Sequence, residues 1–326
     1  MKFTVLVNDV QELEASQTTT MLIAEAATRG HEVHVASVAH LGLSPADRVI
    51  GLGHRVAPAD DRAALLAALK AADAEPIDLS ACDVLLLRTN PARDAGRGWA
   101  HGAALALARF ARDHGVAVFN DPDGLQRADS KLYLSNVPAR FRPRTLITTD
   151  LDAILAFLDT VDGPAVLKPL QGTWGRDVFK IGPGRENIRQ IIDVLSRQGY
   201  VIAQEFIPEA TSGDCRLILL DGQLIEVDGH AAAVQRVPGA GDFRSNIHAG
   251  GRATPAVITD AMREVIAAVG PKLRDDGILL AGLDFIGGKL VEINAFATGG
   301  FLDAERFTGV RFTPHVLDHI ERRAQR

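Results

Sequence analysis

Cysteine is nearly absent from the 326-residue chain, with Cys82 and Cys215 the only two. Two thiols make neither a disulfide framework nor a cysteine-rich zinc site. Both border apolar, strand-like runs, so they read as small core residues. Basic charge is not in excess either: 35 Lys+Arg against 41 Asp+Glu leave a formal charge of −6. That balance argues against a dedicated nucleic-acid binder, although a local basic groove stays open. No apolar run approaches the roughly 18 residues of a membrane span, and the polar pair Asn8-Asp9 comes too early for a signal peptide. A reduced, cytoplasmic protein with neither nucleic-acid nor membrane partners is expected. No G-x-G-x-x-G follows the first strand, which disfavours a Rossmann oxidoreductase. No convincing Ser/His/Asp or Cys/His set stands out for nucleophilic catalysis. What remains is ordinary globular composition, 47% hydrophobic and 23% charged, long enough for two or three domains.

The first third alternates strand and helix. Phe3–Val7, Val33–Ser37, Val84–Leu87 and Val116–Phe119 read as strands. A helix from about Thr18 carries Leu22, Ile23 and Ala26 and stops at Gly30; Leu65, Leu66 and Leu69 mark a second, and Ala100–His114 a third. Val84–Leu87 has no polar alternation, as a buried parallel strand prefers. This pattern predicts an open parallel-sheet domain over residues 1–121, with active groups at the carboxyl ends of its strands, where Asn8 and Arg88 lie. Pro122, Pro138 and Pro143 punctuate a linker. Two helices, through Leu151, Ile154, Leu155 and Leu158 and through Ile188, Ile191, Ile192 and Leu195, then flank strands at Val166–Lys168 and Val178–Ile181, in a unit over 122–200. Strands dominate residues 201–326: Val201–Phe206, Arg216–Leu220, Leu224–Asp228, Ile278–Ile286 and Leu290–Ile293. One helix buries Met262, Val265, Ile266, Val269 and Leu273 among them.

Four segments could carry chemistry. In Gly282–Asn294 polar groups are planted in an apolar hairpin, where a carboxylate is costly unless paired or bound to a cation. A two-residue Gly287-Gly288 turn would put Asp284 and Glu292 on opposite faces. A three-residue connection would set them opposite each other with Asn294 on the same face, a hard oxygen site suited to Mg²⁺. In Val166–Asp177, Lys168 ends a buried strand before a loop holding Gly172, Thr173, Trp174 and Gly175, suited to phosphate. Gln204-Glu205-Phe206-Ile207, stopped by Pro208, offers main-chain groups to adenine. Residues 234–252 form a Gly-rich loop with Arg236, Arg244, Arg252 and Asn246, suited to clamping carboxylate or phosphate.

These segments, in this order, resemble the ATP-grasp carboxylate–amine ligases, most closely the bacterial glutathione synthetases. Leu87–Pro91, Phe119–Pro122, Ser130-Lys131-Leu132, Leu167–Leu170, Gly213–Arg216, Ala249–Arg252 and the Asp284/Glu292/Asn294 hairpin carry the resemblance. It implies an α/β chain of the α+β ATP-grasp class, in which the two later subdomains clamp ATP. It also implies that Lys131 and Lys168 contact phosphates, that Gln204 to Ile207 line adenine, and that Gly172–Gly175 cover the phosphates. Asp284, Glu292 and Asn294 would hold two Mg²⁺, with Mn²⁺ as a substitute. Arg216, Arg236 and Arg252 would serve catalysis, and Arg88, Arg236, Arg244 and Asn246 the substrate. The implied reaction is amide formation through an acyl phosphate, joining γ-glutamylcysteine to glycine in a homo-oligomer, tetrameric in bacterial relatives.

The chain departs from that pattern in two places. Trp174 stands where glutathione synthetases usually carry glycine; with Gly241–Asn246, this looks more like ligases that extend ribosomal-protein tails or carrier proteins. Ala295–Phe301 lacks the Ser/Thr- and Pro-containing stretch of the glutathione enzymes. The alternatives are an ATP-grasp ligase for another amino acid or peptide, and a non-catalytic nucleotide-binding module.

Overall fold

The computed structural model describes residues 1–172, 176–239 and 250–325. The first third runs β1 (Lys2–Val7), α1 (Thr18–Thr28), β2 (Glu32–Leu43), β3 (Val49–Arg55), α2 (Arg62–Ala71), β4 (Glu75–Asp78), β5 (Val84–Leu87), α3 (Gly98–Asp113) and β6 (Ala117–Phe119). Its sheet has the order β4-β3-β2-β1-β5-β6. The β2-β1-β5-β6 part is parallel, as expected, and all four residues of β5 are buried. Two further strands, β3 and β4, which the sequence reading does not identify, add on antiparallel at one edge. Glycines hid them. A side chain at Gly53 would meet Ile77 at 2.6 Å, and one at Gly51 would meet the His40 carbonyl at 2.8 Å. The close strand approach therefore excludes the branched residues that mark a strand in sequence. Helix α3 lays Ala100, Ala104, Ala108 and Ala111 on the core.

The middle of the chain contains α4 (Pro122–Arg127), β7 (Thr145–Thr148), α5 (Leu151–Asp159), β8 (Ala165–Pro169), β9 (Phe179–Ile181), α6 (Ile188–Ser196) and β10 (Val201–Glu205). The segment expected to be a linker is packed: Pro122 starts α4, and Tyr133, Leu134, Val137 and Phe141 are buried. The second sheet has the order β7-β10-β8-β9. β10, expected among the strands after residue 200, folds back between β7 and β8. The second sheet therefore extends past the expected boundary. Its core is its own, built from Ile154, Leu167, Ile192, Leu195 and Val201 with their neighbours.

The last part comprises β11 (Asp214–Leu220), the short strands β12 (Gln223–Leu224), β13 (Glu226–Val227) and β14 (His230–Ala231), then β15 (Ala233–Val237), β16 (Arg252–Thr254), α7 (Asp260–Asp275), β17 (Leu280–Ile286), β18 (Lys289–Asn294), α8 (Phe301–Thr308) and α9 (Thr313–Ala324). The expected single strand over 224–228 is split between β12, which pairs with β11, and a separate β13–β14 ribbon. The third sheet is antiparallel, in the order β16-β15-β11-β17-β18. It shares hydrophobic cores with the first sheet: Leu85 and Leu87 cluster with Leu217 and Leu283, and Phe3 and Val5 with Phe301 and Phe312. Asn120 pins the seam, its side chain donating to the carbonyls of Leu280 (3.0 Å) and Ala295 (2.9 Å) and accepting from Leu280 N–H (2.8 Å). Both cysteines are buried and free, and burial raises their thiols to about 11 for Cys82 and about 12 for Cys215. Among the described residues, no helix is long and apolar enough to cross a membrane.

Candidate active site

The hairpin β17–β18 solves its register in an unexpected way. Gly287-Gly288 is a two-residue turn, with Ile286 opposite Lys289, and both glycines have positive φ (+53° and +78°). A β-bulge between Asp284 and Phe285 then absorbs Val291. Asp284 consequently faces Glu292, and Gly282 faces Asn294. The bulge achieves the face-sharing that a three-residue turn would have given.

Cross-strand pairing extends this arrangement into a row of charges. Asp214 lies opposite Arg236, and Arg216 opposite Asp284. Arg216 grips Asp284 with two bonds, Nε to Oδ1 and Nη2 to Oδ2, both 2.7 Å. Arg236 holds Asp214 through Nε at 2.7 Å and reaches Asp284 Oδ2 at 2.8 Å. Asn294 Nδ2 adds a bond to the same oxygen at 3.1 Å. Burial alone would raise the Asp284 carboxyl, but Arg216 and Arg236 reverse this and hold it well below the usual carboxylate range. Asp214 is pushed up by burial and by the Asp284 charge.

Lys131 begins a 3₁₀ helix (Lys131–Asn136) and donates to the Gly172 carbonyl at 2.9 Å. Lys168, on β8, donates to Gln204 Oε1 at 3.1 Å, and Gln204 Nε2 donates to Thr145 Oγ1 at 2.9 Å. Both amide ends of Gln204 are therefore engaged, which fixes the orientation of its side chain. Burial lowers Lys131, against the pull of Glu292. It lowers Lys168 to about 8, with Glu292 opposing and Lys131 adding. The N–H groups of Glu205 and Phe206 are taken by the carbonyls of Arg144 and Pro164. Ile207 N–H has no acceptor among the described residues. Lys180 stacks over the Phe206 ring, 3.9 Å from its centroid.

One cavity of about 910 Å³ joins these groups, a volume in the range of small-molecule sites. Lys131, Lys168, Gly172, Gln204 to Ile207, Arg216, Arg236, Asp284, Glu292, Asn294 and Arg88 all line it. Two expectations are corrected. Arg236 belongs to β15 and is buried, so it is a fixed strand residue and not part of a mobile loop. Arg252 is exposed on the edge strand β16, opposite Val237, and does not line the cavity. Thr173, Trp174, Gly175, Arg244 and Asn246 lie outside the described residues. Asp214, Arg93 and Arg176 also line the cavity, although the sequence alone gave them no role. The Asp214-x-Arg216 spacing, which puts both side chains on one strand face, was the available signal for the first.

The donor set fits a hard divalent cation. Glu292 and Asp284 supply carboxylates on one face, and Asn294, with its Nδ2 spent on Asp284, keeps its amide oxygen as an acceptor. Asp284, already held by two guanidinium groups, joins such a site only as a shared ligand.

Comparison with known proteins gives one family over both parts of the chain. Residues 1–126 match the model for the prokaryotic glutathione synthetase N-terminal domain, and residues 130–309 that for the prokaryotic glutathione synthetase ATP-grasp domain. The glutathione synthetase of Synechococcus elongatus is 32% identical over 98% of each chain. That of Bradyrhizobium diazoefficiens is 39% identical over 75% of this chain and 74% of its own. Among solved structures, D-cycloserine synthetase DcsG superposes with a TM-score of 0.65 at 17% identity, covering 98% of this chain and 99% of its own. The ATP-grasp ligase PsnB with its minimal precursor gives 0.60 at 22%, covering 98% of each. These structural likenesses establish the ATP-grasp fold. The charged row, the lysine pair facing it and the two domain matches agree, and the chain belongs to the prokaryotic glutathione synthetase family, ligases that form C–N bonds.

Proposed function

We propose that the protein joins γ-glutamylcysteine to glycine, with transfer of the ATP γ-phosphate to the donor carboxylate and release of ADP and phosphate. The family uses ATP with divalent metal ions. The observation that carries the reading for this chain is the opposition, across one cavity, of the Lys131/Lys168 pair and the Asp284/Glu292/Asn294 hairpin. Lys131 and Lys168 bind the phosphates, and the Ile207 N–H beside the Phe206 ring receives the adenine edge. Two Mg²⁺, or Mn²⁺, held by Asp284, Glu292 and Asn294, would offset charge on the phosphates. Arg216 and Arg236 orient the donor carboxylate and balance the charge that gathers as its oxygen attacks the γ-phosphate. The amine then displaces phosphate from the acyl phosphate, and the protein contributes position and electrostatics. Arg252 is given no catalytic part in this reading.

The 31–39% identities to glutathione synthetases favour this substrate pair over peptide-tail extension, for which only fold-level likeness speaks. A homo-oligomer, tetrameric as in bacterial glutathione synthetases, and a cytoplasmic setting complete the proposal. The test is phosphate and ADP release with γ-glutamylcysteine, glycine and Mg²⁺. No stimulation above the rate without these substrates rejects the assignment.

A further inference from the structure

Lys168 is held by a chain of hydrogen bonds that leads away from the large cavity. Gln204, on the interior strand β10, stands opposite Thr145 of β7. Ile202, two residues earlier and on the same face, stands opposite Lys168 of β8. The three polar side chains therefore share one face of the second sheet. Lys168 Nζ donates to Gln204 Oε1 (3.1 Å), Gln204 Nε2 to Thr145 Oγ1 (2.9 Å), and Thr145 Oγ1 to the Pro143 carbonyl (2.9 Å). Lys168 and Gln204 line the large cavity, and Thr145 does not. Gln204 is only 6% exposed even so.

Chemistry fixes the direction of every bond in this chain. An ammonium only donates, so the amide oxygen must face Lys168 and the NH₂ group must face Thr145. A carbonyl only accepts, so the Thr145 hydroxyl hydrogen points to Pro143 and a lone pair is left for Gln204. Among the described residues, Gln204 Oε1 is the one hydrogen-bond acceptor of the Lys168 ammonium. Loss of the Thr145 hydroxyl would leave a buried N–H of Gln204 unpaired, and a half-satisfied buried network is costly enough to rearrange.

The ammonium also has somewhere else to go. A second cavity, of about 10 Å³, lies beside Lys168, with Lys131, Ser135, Arg142, Thr145 and Gln204 as the rest of its polar lining. That is room for about one water. A Gln204 amide released from Thr145 can turn its oxygen toward this small cavity and draw the Lys168 head group out of the large one. Lysine is prone to such a shift, being a point charge on a flexible four-carbon stem. Burial disfavours the ammonium, Glu292 opposes that and Lys131 adds to it, with the result at about 8. A charge so poorly compensated depends all the more on its one acceptor.

Resting on the phosphate role proposed for Lys168, we infer that Thr145, outside the large cavity, is a positioning residue: through Gln204 it holds the Lys168 ammonium toward the triphosphate of ATP. Its effect falls on ATP and not on the other substrates, since neither Arg216 nor Arg236 belongs to the chain of bonds.

The test is the dissociation constant of ATP with Mg²⁺, measured by titration calorimetry on the full chain. Lys168→Met should raise it about tenfold or more; an unchanged value removes Lys168 from the phosphates, and the inference falls with that role. Thr145→Val, close in shape and still β-branched, should raise it about fivefold, the worth of one buried hydrogen bond. Thr145→Ser, which keeps the hydroxyl, should stay within about twofold of wild type. The decisive comparison is Thr145→Val in the Lys168→Met background, where it should add less than about twofold because the group it positions is gone. An unchanged constant in Thr145→Val with Lys168→Met impaired overturns the inference and leaves the phosphate role standing. A full fivefold loss that persists in the methionine background shows general damage to the sheet and overturns it too, as does a serine variant as weak as the valine one. Gln204→Met removes the acceptor itself; compared in the same two backgrounds, it decides the question if Thr145→Val does not fold.

Discussion

Glu292 and Asp284 face each other across one rung of the hairpin but differ in what they already hold. Asp284 neutralises two buried guanidinium groups, whereas Glu292 acts on the lysines across the cavity. Their substitutions should therefore diverge. Glu292→Gln should keep the urea midpoint of wild type and lower Mg²⁺-dependent turnover by about a hundredfold or more; a wild-type kcat would remove it from the site. Asp284→Asn should also cost about 3–5 kcal/mol of stability, because Arg216 and Arg236 are left without their carboxylate. An undiminished midpoint would show that the guanidinium contacts contribute little. Lys168 carries a pH signature. Its ordinary value is 10.5, and in the fold it is about 8. Between these limits the unfolded chain binds more protons, so this group makes stability rise with pH there. Phosphate recognition needs its charge, so the KM for ATP should rise by up to about tenfold from pH 7 to pH 9. Lys168→Met should flatten that dependence, and an equally steep profile in the variant would assign it to another group.

At the scale of elements, the β17–β18 hairpin depends on its turn. Gly288, at φ +78°, would place a Cβ in ordinary van der Waals contact with Ala261 Cβ at 3.8 Å, so backbone conformation is what opposes substitution. Gly288→Val should cost about 1–2 kcal/mol, read as a lower urea midpoint, and should weaken Mg²⁺-dependent ATP turnover by loosening the rung; an unchanged midpoint would exclude strain at the turn. Much of this hairpin was legible in sequence, because polar residues at 284, 292 and 294 in an apolar run are too costly to bury without a partner or a cation. The bulge was not, because a two-residue turn with a bulge and a three-residue turn leave the same residue pattern. Periodicity gave away α1, α5 and α7. It missed β3 and β4, where glycine serves close approach, and it misplaced β10, since partner choice is non-local. Arg236 looked like a loop residue because glycines follow it, and its strand is fixed by Asp214 opposite.

Across the whole molecule, the last part of the chain is tied to the middle and first parts by polar contacts as well as by shared cores. Tyr133 donates to Asp276 at 2.6 Å, and Lys272 and Arg127 complete the cluster. Arg29, on the turn after α1, reaches Asp318 (2.7 Å) and Glu321 (2.9 Å) of α9. Tyr133→Phe should lower stability by roughly 1–3 kcal/mol, the range for a buried bond to a charged acceptor. Calorimetry reads this as a lower Tm, and an unchanged Tm would show that water replaces the hydroxyl. The second sheet stands apart, since its apolar side chains cluster among themselves. A layer that closes on itself can come undone without dissolving its neighbours. Amide protons of β8 and β10 should thus exchange together, ahead of those of β1, β5 and β17, as one cooperative unit. Nucleotide bridging Lys168 and Glu292 should then slow that exchange to the pace of the rest, so the ligand acts as mortar between two otherwise separately melting blocks.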